Sequence, residues 1–239
     1  MTNCFTFPED SDVADLIRYL ERAKKLDNSG AVRFRAYGEV LTVYVAPIAT
    51  EEMLEHTPLI LGLRTMQLET SAEFDASFHI SSVLALLKGE ETEENFSLVK
   101  KLNDQERKLA ANQICLPEAQ VTVAWSTETP TRTGWEQQGE LSQEELTEIA
   151  RKGVAQVAET LPASVGGPIA ARVRAEIWGR AFDYKNPIPM GAAFVAAGLG
   201  FLTEGEQVPW YVSGEWIRLS AKHGHVLSRF AIDYVAMNN

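Results

Sequence analysis

The sequence predicts an α+β fold, with an N-terminal helix on a small antiparallel sheet and a C-terminal three-helix unit that ends in a β-meander. Three observations predict it. Apolar residues recur at helical spacing over residues 13–23, and the period then drops to two over residues 32–37. Three helical patterns follow over residues 142–202, and short alternating segments close the chain. Helices and strands segregated in this way indicate α+β, because a helix layer then covers one face of an antiparallel sheet.

The first helix is announced by Asp10-Ser11-Asp12, an N-cap with acid in the first turn. Val13, Leu16, Ile17, Leu20 and Ala23 give its apolar face, and Asn28-Ser29-Gly30 ends it. Val32, Phe34 and Ala36 alternate with Arg33, Arg35 and Tyr37, which is strand spacing. Gly38-Glu39 fits a two-residue hairpin turn, and Val40 to Ala46 is the returning strand. Leu59 to Leu68 and Phe74 to Ile80 read as further strands, followed by a short helix from Ser81 to Lys88. Residues 1–90 thus form a first domain.

Residues 91–120 read as a partly helical connecting segment, acidic at its start and charged through Phe96 to Ala111. The second domain, residues 121–239, begins with a short strand at Val121 to Trp125 and a long loop from Thr127 to Gly139 anchored by Trp135. Ser142-x-x-Glu145 is a capping box, and Leu146, Ile149, Ala150, Val154, Val157 and Leu161 continue its helix. A second helix starts at Pro168 and runs to Trp178-Gly179; a third runs from Pro189 to about Leu202. The third is rich in glycine and alanine, a sign of close backbone packing. Gly191, Ala193, Phe194, Ala197 and Gly200 are its candidate interface residues, for a protein partner or for self-association. Val208 to Val212, Trp216 to Leu219 and Val226 to Ile232 form the closing meander.

The segments Gly134-Trp135, Gly139-Glu140-Leu141, Ile177-Trp178-Gly179-Arg180, Pro189 to Phe194, Leu199 to Leu202, Trp216 to Ser220 and Gly224 to Arg229 together resemble a family of uncharacterised actinobacterial proteins. The resemblance covers most of the chain, more firmly its second half. It implies a cytosolic protein and carries over no catalytic residue.

Composition narrows the function classes. The 239 residues are 45% hydrophobic and 23% charged, enough apolar material for a core. The N-terminus lacks a basic and apolar signal segment, and no apolar run is long enough to span a bilayer, so a cytoplasmic location is expected. Under that expectation Cys4 and Cys115 read as free thiols. The net charge is −11, with the acid concentrated in residues 89–148, which argues against nucleic acid as a partner.

Motifs for chemistry are sparse. His223-Gly224-His225 is the only close histidine pair, and i, i+2 spacing on a strand puts both imidazoles on one side. A metal site there needs a third ligand, for which Glu215, Asp233, His56 and His79 are the candidates. His223, His225, Arg218 and Trp216 are also the candidate ligand-binding residues for a pocket between the two halves. No G-x-S-x-G elbow occurs, and Val165-Gly166-Gly167-Pro168 lacks the strand and the lysine of a phosphate loop. The paired glutamates lie in solvated runs, and no flavin, nicotinamide or tetrapyrrole signature is present, so no cofactor is expected. Three helices followed by a hairpin give a winged-helix order, yet the third helix has no residue to read bases. Arg33 and Arg35 on one strand, and Arg172, Arg174 and Arg180 near the second helix, are expected to pair with acids of the same chain. The leading expectation is a non-catalytic protein acting through protein contacts; the alternative is an enzyme or binder of small molecules.

Overall fold

The computed structural model describes residues 3–49, 58–90, 112–127, 130–161, 166–183 and 186–230. The chain divides into two compact units. Unit 1 comprises residues 1–45 and 64–126, and unit 2 comprises residues 46–63 and 127–239. The α+β class is the one the sequence predicts.

Unit 1 opens with a short strand, β1 (Cys4–Thr6), which the acidic composition of the N-terminus conceals. Helix α1 (Asp10–Leu26) follows. Its cap is Glu9, one residue before the expected Asp10: Glu9 and Asp12 reciprocate in a capping box, and Asp12 Oδ2 accepts from the Glu9 backbone N–H at 3.2 Å. Leu16, Tyr19, Leu20 and Ala23 form its buried face. Tyr19 donates to the Val43 carbonyl at 3.3 Å, and burial pushes its phenol well above the ordinary range.

Strand β2 (Ala31–Ile48) doubles back on itself. Thr42 Oγ1 lies 2.9 Å from the Arg35 carbonyl, whereas seven extended residues would separate them by roughly 23 Å. Gly38, at φ +62°, makes the reversal, and exposed Tyr37 and Val40 flank it. The expected hairpin is therefore present. Strand β3 (Ile60–His79) continues into helix α2 (Ile80–Leu87). Its end lies beside the first arm of β2, where Ile80 N–H donates to the Gly30 carbonyl at 3.1 Å. Asp75 there receives two Arg33 bonds of 2.7 Å and lies 3.5 Å from Arg35, so both arginines of the stripe meet one carboxylate of the same unit. Phe5 stacks on Phe34 and Phe74, and Phe34 meets Phe78, so an aromatic cluster fills the centre of unit 1.

Strand β4 (Gln113–Cys115) pairs antiparallel with β1 and sets Cys4 opposite Cys115. Backbone bonds join Phe7 to Asn112 and Asn3 to Leu116, each at 2.9 Å. By alternation, Cys4 and Cys115 form a non-hydrogen-bonded pair, the cross-strand position where side chains approach most closely. They are joined as a disulfide, with Cα atoms 4.0 Å apart, which corrects the free-thiol reading. The expected strand at Val121 to Trp125 is also absent: Ala124–Thr127 is a 3₁₀ turn, and Val121 only donates to Ser77 at 2.8 Å. The helix expected over Phe96 to Ala111 lies outside the described residues.

Unit 2 contains β5 (Glu136–Ser142), α3 (Gln143–Thr160), α4 (Gly167–Gly179), β6 (Ala181–Asp183), β7 (Asn186–Pro189), α5 (Met190–Gly198), β8 (Gln207–Ser213), β9 (Trp216–Ala221) and β10 (Gly224–Arg229). Residues Glu136 to Gly139, expected in a loop, are the start of strand β5, which pairs with β8. The capping box of α3 forms as expected, with Ser142 Oγ accepting from Glu145 N–H at 3.2 Å. Residues 60–63 of β3 pair with β10, then β9, β8 and β5 follow in order, all antiparallel. The closing strands are thus interior members of a sheet, not the wing of a winged helix.

Helix α5 is shorter than expected and ends in a Schellman motif. Gly200, at φ +68°, donates to Ala197, and Phe201 donates to Ala196, both at 3.0 Å. Gly200 therefore serves as the helix cap. Gly191, Ala192, Ala193, Val195 and Ala196 are buried against α3, α4, β7 and β10. A Cβ on Gly191 would lie 2.4 Å from Ile60 Cδ1 and 2.8 Å from Ile48 Cδ1. Phe194 stacks on Trp178 at 4.4 Å. The close packing announced by the small residues is met within unit 2, and none of the α5 residues is exposed. Phe194 and Ala197 stay partly accessible, while Gly191 and Ala193 are buried within the unit.

Close packing recurs where β10 begins. A Cβ on Gly224 would lie 2.5 Å and 2.6 Å from Cε1 and Cζ of Phe201, whose ring is fully buried. Gly224→Ala is expected to lower stability by about 1–3 kcal/mol, because the ring has no room to withdraw. Urea unfolding with an unchanged slope and a lower midpoint would confirm it.

Candidate functional site centred on Arg218

Alternation along the unit 2 strands sorts their side chains onto two faces. Val208, Ile217, Leu219 and Val226 are buried on the face that Phe201 covers at Gly224. The register places Tyr211 opposite Arg218, Ser213 opposite Trp216, Ser220 opposite His225 and Trp216 opposite Arg229. These residues share the other face.

Arg218 is the centre of that face. Its guanidinium carbon lies 4.6 Å from the Trp135 ring centroid and 4.6 Å from that of Tyr211, so two rings flank one cation. Trp135 arrives on a strap, held by Trp135 Nε1 donating to the Thr131 carbonyl at 3.0 Å and Thr131 Oγ1 bonding Ser213 Oγ at 2.9 Å. Gly134, at φ +77°, lets the strap turn. Beside this sandwich, Arg229 lies 5.6 Å over the Trp216 ring.

Three buried polar atoms of the face have no hydrogen-bond partner among the described residues: Arg218 Nε, Ser220 Oγ and His225 Nδ1. Ser220 and Arg218 are two residues apart on β9, and His225 faces Ser220 across the strand pair. Burial lowers the Arg218 pKa; burial, and then the Arg218 charge, lower that of His225. The face therefore carries one desolvated cation and a neutral imidazole.

The His225 shift has a measurable sign. The unfolded chain takes up the histidine proton near pH 6.5 while the folded chain does not, so folding loses stability as pH falls below that value. Above it this contribution is fully present. The slope is at most about 1.4 kcal/mol per pH unit for one group. His225→Gln is expected to show a flatter decline between pH 7 and the folded pKa in paired urea titrations.

Of the four residues expected to bind a ligand or metal, Arg218 and His225 come together, and Trp216 lies on the same face. His223 is exposed in the turn before β10. No group of three metal-ligating side chains occurs among the described residues. Trp135, Tyr211 and Ser220 were not singled out in the sequence. The alternation of Trp216, Arg218 and Ser220 marks one face of β9, but partners on β8 and in the strap require the pairing. In unit 1, a separate open cavity of about 560 Å³ is lined by Lys24, Lys25 and Lys88 among others, with Lys88 already 2.9 Å from Glu21.

Comparison with solved structures assigns the fold. The DNA polymerase III subunit beta from Borrelia burgdorferi, solved in complex with a natural product, superposes with a TM-score of 0.51 at 9% identity, over 98% of this chain and 67% of that one. The Helicobacter pylori beta clamp in complex with 3,4-difluorobenzamide gives 0.50 at 12% identity, over 99% and 68%. The chain thus spans about two thirds of the length of these clamps and shares their fold. No curated protein matches it in sequence. Residues 1–108 match the model of DUF8010 and residues 130–232 that of DUF8185, so the chain joins two domains of unknown function.

Proposed function

We propose that this chain is a non-catalytic docking protein, which binds segments of partner proteins on the Arg218 face of unit 2. The observation that carries the reading is the Arg218 guanidinium 4.6 Å from both the Trp135 and the Tyr211 ring centroids, with exposed Arg229 over the Trp216 ring beside it. Trp, Tyr and Arg are the residue types that dominate binding energy at protein interfaces. The clamp fold supports the same reading, since its solved neighbours are polymerase subunits. A nucleic-acid role has less support in the charges. Helices α1, α3 and α4 carry nine acidic and eight basic side chains, with no basic track, in a chain of net charge −11.

The test compares captured proteins. A photo-crosslinking residue at exposed Gln137, beside Tyr211 in the register, is expected to capture a discrete set of cellular proteins. Tyr211→Ala combined with Trp135→Ala is expected to abolish the set while leaving the far-ultraviolet circular dichroism intact. Identical capture by both proteins would sink the proposal. So would tight binding to duplex DNA that weakens steeply with salt.

A further inference from the structure

Several arginines of this chain find a carboxylate. Arg18, Arg33, Arg35, Arg64, Arg151 and Arg180 each meet an aspartate or glutamate side chain within their own unit. Arg218 meets two aromatic rings and, among the described residues, no carboxylate. A half-buried cation without a counter-charge has lost part of its hydration, and two ring faces return only part of it. Among the described residues, Arg218 Nε and the neighbouring Ser220 Oγ and His225 Nδ1 have no hydrogen-bond partner either.

We infer that Arg218 is the recognition point for a carboxylate on the partner segment, an inference that rests on the docking reading above. The Trp135 and Tyr211 rings each lie 4.6 Å from the guanidinium carbon, and no carboxylate of the described residues meets its N–H groups, so the terminal N–H groups are the donors left for a ligand. A carboxylate matches such donors through two parallel charge-assisted bonds. Arg218 supplies the positive charge at the recognition point, with uncharged Ser220 and His225 beside it. Exposed Arg229, held over the buried Trp216 ring next along the same face, extends the surface that a peptide carrying this carboxylate would cover.

The probe is an acetylated and amidated hexaglutamate peptide, with the hexaglutamine peptide of the same length and blocked ends as its neutral counterpart. Each is titrated into the ¹⁵N-labelled full chain at physiological salt. The readout is the Arg218 Nε–Hε resonance, assigned by its loss in Arg218→Lys. The glutamate peptide is expected to move this resonance along a saturating curve, and the glutamine peptide to leave it in place. Arg218→Gln, monitored at neighbouring backbone amides, is expected to weaken binding by about tenfold or more. Arg218→Lys keeps the charge but loses the planar fork, and is expected to recover only part of that loss. A resonance that both peptides move alike, or that neither moves, would overturn the inference. The same holds if Arg218→Gln binds as well as the parent protein. If the Gln137 crosslinker still captures its proteins while the titration is silent, only the carboxylate assignment falls. If the titration succeeds and capture is indifferent to the Tyr211 and Trp135 changes, the docking reading falls instead.

Discussion

Removing the Cys4–Cys115 disulfide is expected to lower the melting temperature by roughly 6–12 °C. The bond closes a loop across 111 residues, which spans nearly the whole of unit 1. In the chain-entropy account a crosslink of that span restricts the unfolded state by about 4–5 kcal/mol, and natural bridges deliver about 2–4 kcal/mol of it. The strands it joins are three residues each, so β1 and β4 have few bonds of their own to hold them together. They are not independent of the core either, because Phe5 and Phe7 project from this end of the chain and are buried. Loosening β1 therefore loosens the aromatic cluster with it. Calorimetry with and without a reducing agent is the check, alongside the double variant Cys4→Ala, Cys115→Ala. The variant is expected to melt near the reduced protein and to ignore the reductant. Equal melting temperatures in all four conditions would show that the crosslink contributes nothing.

Sequence legibility followed local physics. Helices α1 and α3 were readable because their caps and apolar period act within a few residues. Even so, the α1 cap lies one residue before the expected Asp10, because Asp at position 10 is the better N-cap type and only the backbone shows that Glu9 takes the role. The Gly38 hairpin was readable because its turn chemistry is local. Strand β5 was not: Glu136 to Ser142 has no apolar alternation, and its conformation comes from pairing with β8. The cysteine bond was equally hidden, because a non-hydrogen-bonded register between residues 111 apart exists only once β1 and β4 meet. The Arg218 face sits between these extremes. Arg218, Trp216 and His225 were singled out for their chemistry on adjacent segments. Trp135 was read only as a loop anchor, and Tyr211 as one residue of a strand. What joins them is the β8–β9 register and the strap, neither of which leaves a mark in composition. The Gly/Ala-rich third helix teaches the complementary lesson: small residues announced close approach correctly, but not whether the neighbour was another chain or the same one.

Gly153→Ala is the second large effect expected, and two rules oppose each other there. Gly153 lies in the interior of α3, where alanine improves helix propensity by about 1 kcal/mol. On that ground alone the substitution stabilises. The surroundings reverse the sign. A Cβ at this position would lie 2.2 Å from Cζ3 and 2.7 Å from Cη2 of Trp178. The indole has little freedom to withdraw, because Phe194 stacks on it at 4.4 Å and Trp178 is almost fully buried. Overpacking of this kind costs about 1–3 kcal/mol, occasionally more, and contacts well inside van der Waals separation place it at the upper end. The net expectation is a loss of about 1–2 kcal/mol, or roughly 2–8 °C in melting temperature. The cost comes from the Trp178 ring, so a double-mutant cycle isolates it. Trp178→Phe alone destabilises by leaving a cavity. In that background, however, Gly153→Ala is expected to be neutral or stabilising, with a coupling energy of at least about 1 kcal/mol. A melting temperature that rises in Gly153→Ala would mean the indole is not pinned between α3 and α5. The packing that buries Gly191 and Ala193 inside unit 2 would then lose its support.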